Sequence, residues 1–539
     1  MFTKNIKCSL NKTQYLLGEN VVVEIHSDCV VISIKLFKLE HEILADYTIE
    51  ENTITIPNMP LGGYGISVTT NEGIWEGAFD VVNDYREVIR YGFLSDFSRN
   101  DIDSCDVDWI RDLHLNAVQF YDWMYRHDQL LPPTLEYEDP LGRKMSVEAI
   151  LKKIRKCKEY GIRPIAYGAI YAATNSTFDV HPEWGMYTMD GEPMTFANWL
   201  YYMNIEETSG WSSHILEEYK KAIHFGFSGI HMDTYGFPKR VWNQNGHPVD
   251  LANEFSNLID NASIAVRTED VSGGVIFNAV NNWPMEAIAK SDQDAVYIEV
   301  WPPHDSYYDL YSLIRTARLC SGKNVVLAAY LKAFQHKDLD AAERSFRFSW
   351  ATICASGGTQ LVLGEEHGLL RDSYYVNYTT LRPSFLPVVQ NYCDYLVRYA
   401  DLLYNDYGVD ISKTASGGIN EDICFESDSC VFSPNGKADT VWTIIRESEK
   451  RLTIHLINLM GNDDLWNHEK SEPREATGIK IKLRLDRAVS HFCAASPDNP
   501  SLQAYSLAYA CQQTNEGRQY TVDVPSLQYW TTVWVQLEE

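Results

Sequence analysis

Two short stretches of the chain end in groups able to move protons. "GIHMDTYG" (229–236) carries an apolar run outward and finishes with His231, Asp233 and Tyr235. "AVYIEVWPP" (295–303) does the same with Glu299 and Trp301. Residues two apart on a strand share a face, so His231 accompanies Asp233 and Trp301 accompanies Glu299. If both runs end in one pocket, two carboxylates meet there, the constellation that glycoside hydrolysis needs. One attacks an anomeric carbon; the other, kept protonated by its surroundings, donates to the leaving oxygen. A charged Asp233 would itself raise the pKa of Glu299, because like charges disfavour a second ionisation. Acids at strand ends also cap helices or face solvent, so the reading depends on the elements that position them.

From Tyr91 to about Leu403, eight apolar runs alternate with helical patterns: "YGFLSDF", "AVQFYDW", "RPIAYGAI", "GIHMDTYG", "GVIFNAV", "AVYIEVW", "NVVLAAYL" and "TQLVLGE". The intervening segment 146–161 has Ser146 at its N-cap and Gly161 just past its end, and "WSSHILEEYKKAIHFG" again closes on a glycine, Gly226. Eight strand–helix repeats predict a (β/α)8 TIM barrel, whose buried parallel strands read as continuous apolar runs. A doubly wound sheet is the competing fold, but no G-x-G-x-x-G follows the first strand. Short alternating runs in residues 1–86 predict an immunoglobulin-like β-sandwich, and those in 409–539 a Greek-key β-sandwich. The expected organisation is therefore multidomain: 1–86, a barrel at 87–408, and 409–539. A chain of 539 residues is too long for one core.

Chemistry in such a barrel sits at the C-terminal ends of the strands. Asp233 ends the fourth and Glu299 the sixth. Other strand ends offer Asp96, Asp122 and Trp123 in "FYDWMYRH", Tyr167, Asn278, Tyr330 and Glu365. Aromatics beside acids suit a sugar site, where rings stack and carboxylates accept hydroxyl hydrogens. Ordinary packing at a barrel rim is the plain alternative for each. His127 could bind a hydroxyl, but it reads more simply as a surface histidine in a loop.

Composition narrows the partners. Acids outnumber bases 74 to 46, a net charge of −28, which disfavours nucleic acid and anionic membranes but not a neutral sugar. The 33 Tyr and 14 Trp fit either β-structure or stacking platforms for pyranose rings. Eleven cysteines lie scattered, with no C-x-x-C pair and no Cys/His cluster at zinc spacing, as expected of reduced thiols in a cytoplasmic protein. The N-terminus lacks an apolar core of signal-peptide length, and no run of 18 apolar residues predicts a membrane span. No metal or other cofactor is expected. The first barrel run lacks the H-x-H of metal-dependent hydrolases, and no loop has EF-hand spacing. Oligomeric state leaves no mark on the sequence.

At these motifs the chain resembles glycoside hydrolase family 66, which contains dextranases and cycloisomaltooligosaccharide glucanotransferases. The resemblance rests on "LNAVQFYDWMYRHD" (115–128), "GFSGIHMDTYG" (226–236), "DAVYIEVWPP" (294–303) and "INLMGNDDLWN" (457–467). It covers almost the whole chain. It implies a retaining enzyme acting on α-1,6-linked glucans, with Asp233 as nucleophile, Glu299 as acid/base, and Asp122 and Trp123 in the sugar-binding wall. Cyclising members carry a carbohydrate-binding insertion within the barrel. The longest gap here, from Ile170 to Asp233, is expected to hold only a loop and one helix, which favours hydrolysis. A missing secretion signal favours imported isomalto-oligosaccharides over the full polymer. A glycan-binding protein without the reaction is the rival of a different class.

Overall fold

The eight apolar runs become eight strands of one parallel sheet, in sequential order. In this computed structural model, which describes residues 7–103, 105–234 and 238–538, they are β1 (Tyr91–Leu94), β2 (Ala117–Phe120), β3 (Arg163–Ala169), β4 (Gly229–Asp233), β5 (Gly274–Asn278), β6 (Val296–Glu299), β7 (Val325–Ala328) and β8 (Thr359–Gln360). Nearly every residue in them is buried, which is why they read as unbroken apolar runs. The sheet closes where Phe93 bridges Gly364 in parallel and the Phe93 N–H donates to the Leu363 carbonyl at 3.3 Å. A Cβ at Gly364 would lie 2.3 Å from the Phe93 carbonyl oxygen, so closure requires glycine there.

The helical segments fall where their periodicity places them. Val147–Glu159 starts after Ser146, though the Ser146 hydroxyl makes no capping bond, and Gly161 follows at φ +69°. Gly210–Phe225 is capped by Ser209, whose hydroxyl accepts from the Trp211 N–H, and Gly226 at φ +134° ends it. The interval between β3 and β4 holds more than the expected loop and one helix. Strands Ala172–Thr174, Thr195–Phe196 and Leu200–Tyr202 form a small antiparallel sheet there, beside a short helix, Asn175–Val180. Each of those strands spans two or three residues, too few for alternation to show.

On the N-terminal side a four-stranded and a five-stranded sheet share one core, with Val23 and Ile54 from the first meeting Ile66 and Phe79 from the second. On the C-terminal side a seven-stranded and a four-stranded sheet do the same around residues such as Ile454, Val533, Ile481 and Val522. The barrel core runs on into the C-terminal region: Trp530 and Trp534 pack on Tyr395 and Tyr399 of the last barrel helix and the residue after it, at 5.0 and 5.7 Å. Among the described residues no helix is long and apolar enough to cross a membrane.

Candidate active site

Five consecutive strands deliver one polar group each to the same end of the barrel: Tyr167 from β3, Asp233 from β4, Asn278 from β5, Glu299 from β6 and Tyr330 just beyond β7. Asn278 stands between the two acids because β5 stands between β4 and β6. Its Nδ2 donates to Asp233 Oδ1 at 2.7 Å and to Glu299 Oε2 at 3.1 Å. The facing carboxylate oxygens are thus no farther apart than two hydrogen bonds meeting at one nitrogen. That spacing suits the carboxyl separation of about 5–5.5 Å used by retaining glycosidases.

The outer oxygens are held as well. The Tyr167 hydroxyl donates to Asp233 Oδ2 at 2.8 Å, and the Tyr330 hydroxyl to Glu299 Oε1 at 2.9 Å. Burial pushes both phenols well above their ordinary pKa, so they stay protonated donors. Glu299 is pushed up to about 7, chiefly by burial and then by the Asp233 charge. The side chains of Asn278, Tyr330 and Trp301 bond it and pull in the opposite direction. At neutral pH the site therefore offers a carboxyl poised to release a proton beside a second carboxyl fixed by two donors.

Below the carboxylates lies a layer of rings. His231, on the same face of β4 as Asp233, is buried and stacks 6.2 Å from Tyr167, with Tyr297 edge-on at 4.7 Å and the Tyr91 hydroxyl 3.3 Å from its Nδ1. Burial lowers its pKa to about 3, so it is a neutral ring that supports Tyr167. Asp122 follows β2 with φ +50°, a left-handed conformation that aspartate adopts more readily than most residues, while Arg143 donates to its carbonyl at 3.3 Å. Its carboxyl is pushed up to about 7 by burial, with Asp139 and Asp233 adding to the shift and Arg143 opposing it. Trp301 is half-buried at the rim, its backbone N–H donating to Asn281 Oδ1 at 2.7 Å.

Residues 10–534 match the family model for Glycosyl hydrolase family 66. The chain belongs to glycosyl hydrolase family 66. A cycloisomaltooligosaccharide glucanotransferase from Niallia circulans is 24% identical over 638 positions, covering 90% of this chain and 65% of that protein. A dextranase from Streptococcus salivarius is 22% identical, over 88% of this chain and 67% of that protein. The chain thus spans about two thirds of the length of the curated relatives it matches. Both alignments are longer than the 539-residue chain, so these relatives carry segments without a counterpart here. In fold, the chain superposes on a Paenibacillus sp. cycloisomaltooligosaccharide glucanotransferase, crystallised with cycloisomaltoheptaose, at a TM-score of 0.88 with 22% identity, over 98% of this chain and 99% of that one.

Several residues that the sequence offered as sugar contacts lie elsewhere in this family 66 chain. Trp123 is fully buried behind the barrel, its indole N–H donating to the Tyr167 carbonyl at 3.1 Å and its ring packed on Phe225 and Phe227. It braces Tyr167 from outside and presents no face to a sugar. Glu365 is likewise buried, accepting from Ser95 N–H (2.8 Å), Ser95 Oγ (2.5 Å) and Asp96 N–H (3.0 Å). It ties the end of the barrel's last strand to the end of its first, with the Lys153 charge nearby. The Asp96 carboxylate accepts from Ser98 N–H at 2.7 Å, away from the pair. His127 is a buried histidine rather than a surface one: its ring lies edge-on to Trp199 at 5.7 Å, and its Nδ1 has no hydrogen-bond partner among the described residues. Tyr235 lies outside the described residues.

The sequence reading also missed Tyr375, in the loop after β8. Its hydroxyl is 3.2 Å from that of Tyr297, it hydrogen-bonds Tyr330, and its ring stacks on Tyr121 at 4.2 Å. The aromatic run "SYYVNY" was the available signal, but a loop has no periodicity to say which ring turns inward.

Proposed function

We propose that this chain hydrolyses α-1,6-glucosidic linkages in isomalto-oligosaccharides or dextran with retention of configuration. Asp233 is the nucleophile and Glu299 the acid/base. The observation that carries the reading is the single Asn278 nitrogen bonded to both carboxylates, since it supports a gap too small for a water to attack from behind. An Asp233 oxygen bonds to the anomeric carbon as the glycosidic oxygen leaves with the Glu299 proton. The resulting ester removes the Asp233 charge, so the pKa of Glu299 falls and it becomes the base. It then takes a proton from the water that displaces Asp233.

Asp122 and Trp301 are the side chains we assign to the sugar, with Tyr167, Asn278 and Tyr330 holding the acids. We also assign residues 1–86 and 409–539 as immunoglobulin-like and Greek-key sandwiches flanking a barrel at 87–408. A second reading, transfer to a sugar hydroxyl to give cyclic products, is favoured by the named relatives. In that case the acceptor hydroxyl takes the place of water in the second step. Incubation with linear isomalto-oligosaccharides of graded length separates these. Hydrolysis gives linear fragments whose first-formed anomer is α by NMR, and cyclisation gives products without a reducing end. A first-formed β anomer would exclude the covalent step, and binding without new reducing ends would leave a glycan-binding protein.

A further inference from the structure

His491 and Cys493 alternate on the strand Val489–Ala495 and so share a face. Opposite them stands the tip of an N-terminal hairpin, where Val31–Lys38 turns into His41–Ile43 through Leu39 and Glu40, with Lys38 paired to His41. Leu39 has φ +52°, a left-handed conformation disfavoured for leucine, and its side chain is buried in the core shared with the barrel. That plug fixes the tip against the C-terminal sheet.

Two imidazoles then converge on one carboxylate oxygen: Glu40 Oε1 is 2.6 Å from His491 Nε2 and 3.0 Å from His41 Nε2. Glu40 Oε2 accepts from Trp534 Nε1 at 3.1 Å, and His491 Nδ1 is 2.8 Å from Ser490 Oγ, so both groups are oriented from behind. A ligand atom from each of Glu40, His491 and Cys493 lies within 4.8 Å of the others. Glu40 and His491 are 451 residues apart in the chain, so no spacing rule applied to the sequence could join them.

We propose that these residues form a structural zinc site that joins the N-terminal hairpin to the C-terminal sheet, with Glu40, His491 and Cys493 as ligands and His41 as the fourth. Thiolate, imidazole and carboxylate together are a donor set for tetrahedral Zn²⁺, with bonds of roughly 2.0–2.3 Å. The Ser490 and Trp534 contacts supply the outer hydrogen bonds that such ligands need. Binding releases the Cys493 thiol proton to solvent. The four ligands come from the two β-regions and include neither Asp233 nor Glu299, so the site is independent of the proposed hydrolysis.

The test uses the full-length protein freed of metal and titrated with Co²⁺ as an optical probe. One equivalent is expected to give tetrahedral d–d bands and a thiolate-to-cobalt charge-transfer band, both abolished by added Zn²⁺. Zn²⁺ should raise the melting temperature and a chelator should reverse it. Cys493→Ser should lose the charge-transfer band, and Glu40→Gln and His491→Gln should each weaken zinc at least about tenfold. Absence of the thiolate band in the wild type overturns the proposal, as does a band unchanged in Cys493→Ser, which would place the metal on another of the eleven cysteines. If Cys493→Ser does not fold, unchanged affinity in both Glu40→Gln and His491→Gln overturns it equally.

Discussion

Asn278 resolves a conflict that two buried carboxylates create for each other. Burial, and then the Asp233 charge, push the Glu299 carboxyl up to about 7, while two donors fix Asp233 and a third, from Tyr330, partly offsets the shift on Glu299. With the proposed role for Glu299, acid catalysis should be present while Glu299 is protonated and lost as pH rises through about 7. A phenol that donates to the carboxylate favours its charged form, so Tyr330→Phe should raise that pKa. The alkaline limb of kcat/KM should move up by about one pH unit, the worth of one charge-assisted hydrogen bond. A limb that stays in place would detach Tyr330 from the acid. Asp233→Asn should lower kcat by about 10⁴-fold or more on every substrate. Glu299→Gln should lose about 10²–10⁴-fold on a natural glucan yet far less on an aryl glycoside, whose leaving group hardly needs a proton. Equal losses on both substrates would show that the roles are wrongly divided.

Strand order decides which groups can meet. Because β5 lies between β4 and β6, one asparagine reaches acids on both neighbours, an arrangement unavailable to adjacent acid-bearing strands. Closure of the barrel depends on a second device, Gly364 against the Phe93 carbonyl, and Glu365 then secures the seam through Ser95 and Asp96. Removing that buried carboxylate leaves three buried donors, from Ser95 and Asp96, without their acceptor, although Lys153 keeps its pairing with Asp101 and Asp106. Glu365→Ala should therefore destabilise folding by about 3–5 kcal/mol in urea titrations, while kcat of the folded fraction changes little. A stable variant with failed catalysis would instead return Glu365 to the substrate site.

Across the whole molecule, the N-terminal sheets are locked to the N-terminal end of the first barrel strand by a buried bidentate pair. Arg90 Nη1 and Nη2 donate to the two oxygens of Asp80 at 2.8 and 3.0 Å, and Arg90 also donates to the carbonyls of His114 (2.5 Å) and Thr13 (3.2 Å). Gln14 adds a bond to Asp80 at 2.9 Å. With both partners buried, salt screens the pair little. Asp80→Ala should cost about 3–5 kcal/mol, because it strands a buried guanidinium, and the loss should persist at high salt. A loss that disappears in 1 M salt, on the order of a 3 Å screening length, would mean that the pair is open to solvent.

The barrel and its two acids were legible because they depend on short-range rules. Buried parallel strands are unbroken apolar runs, and an acid directly after such a run must emerge at the strand's end. Asn278 and Tyr167 were legible for the same reason. What the chain alone did not distinguish was Trp301 at the rim from Trp123 behind the wall, or Glu299 in the pocket from Glu365 in the seam, since each follows or ends a similar apolar run. Whether a side chain beyond a strand faces the barrel axis or a neighbouring element is set by the pleat, the closure of the sheet and the bulk packed outside it. The meeting of Glu40 with His491 is farther still from local control. It exists only because separate β-regions dock, and docking is decided by shape and burial summed over whole surfaces.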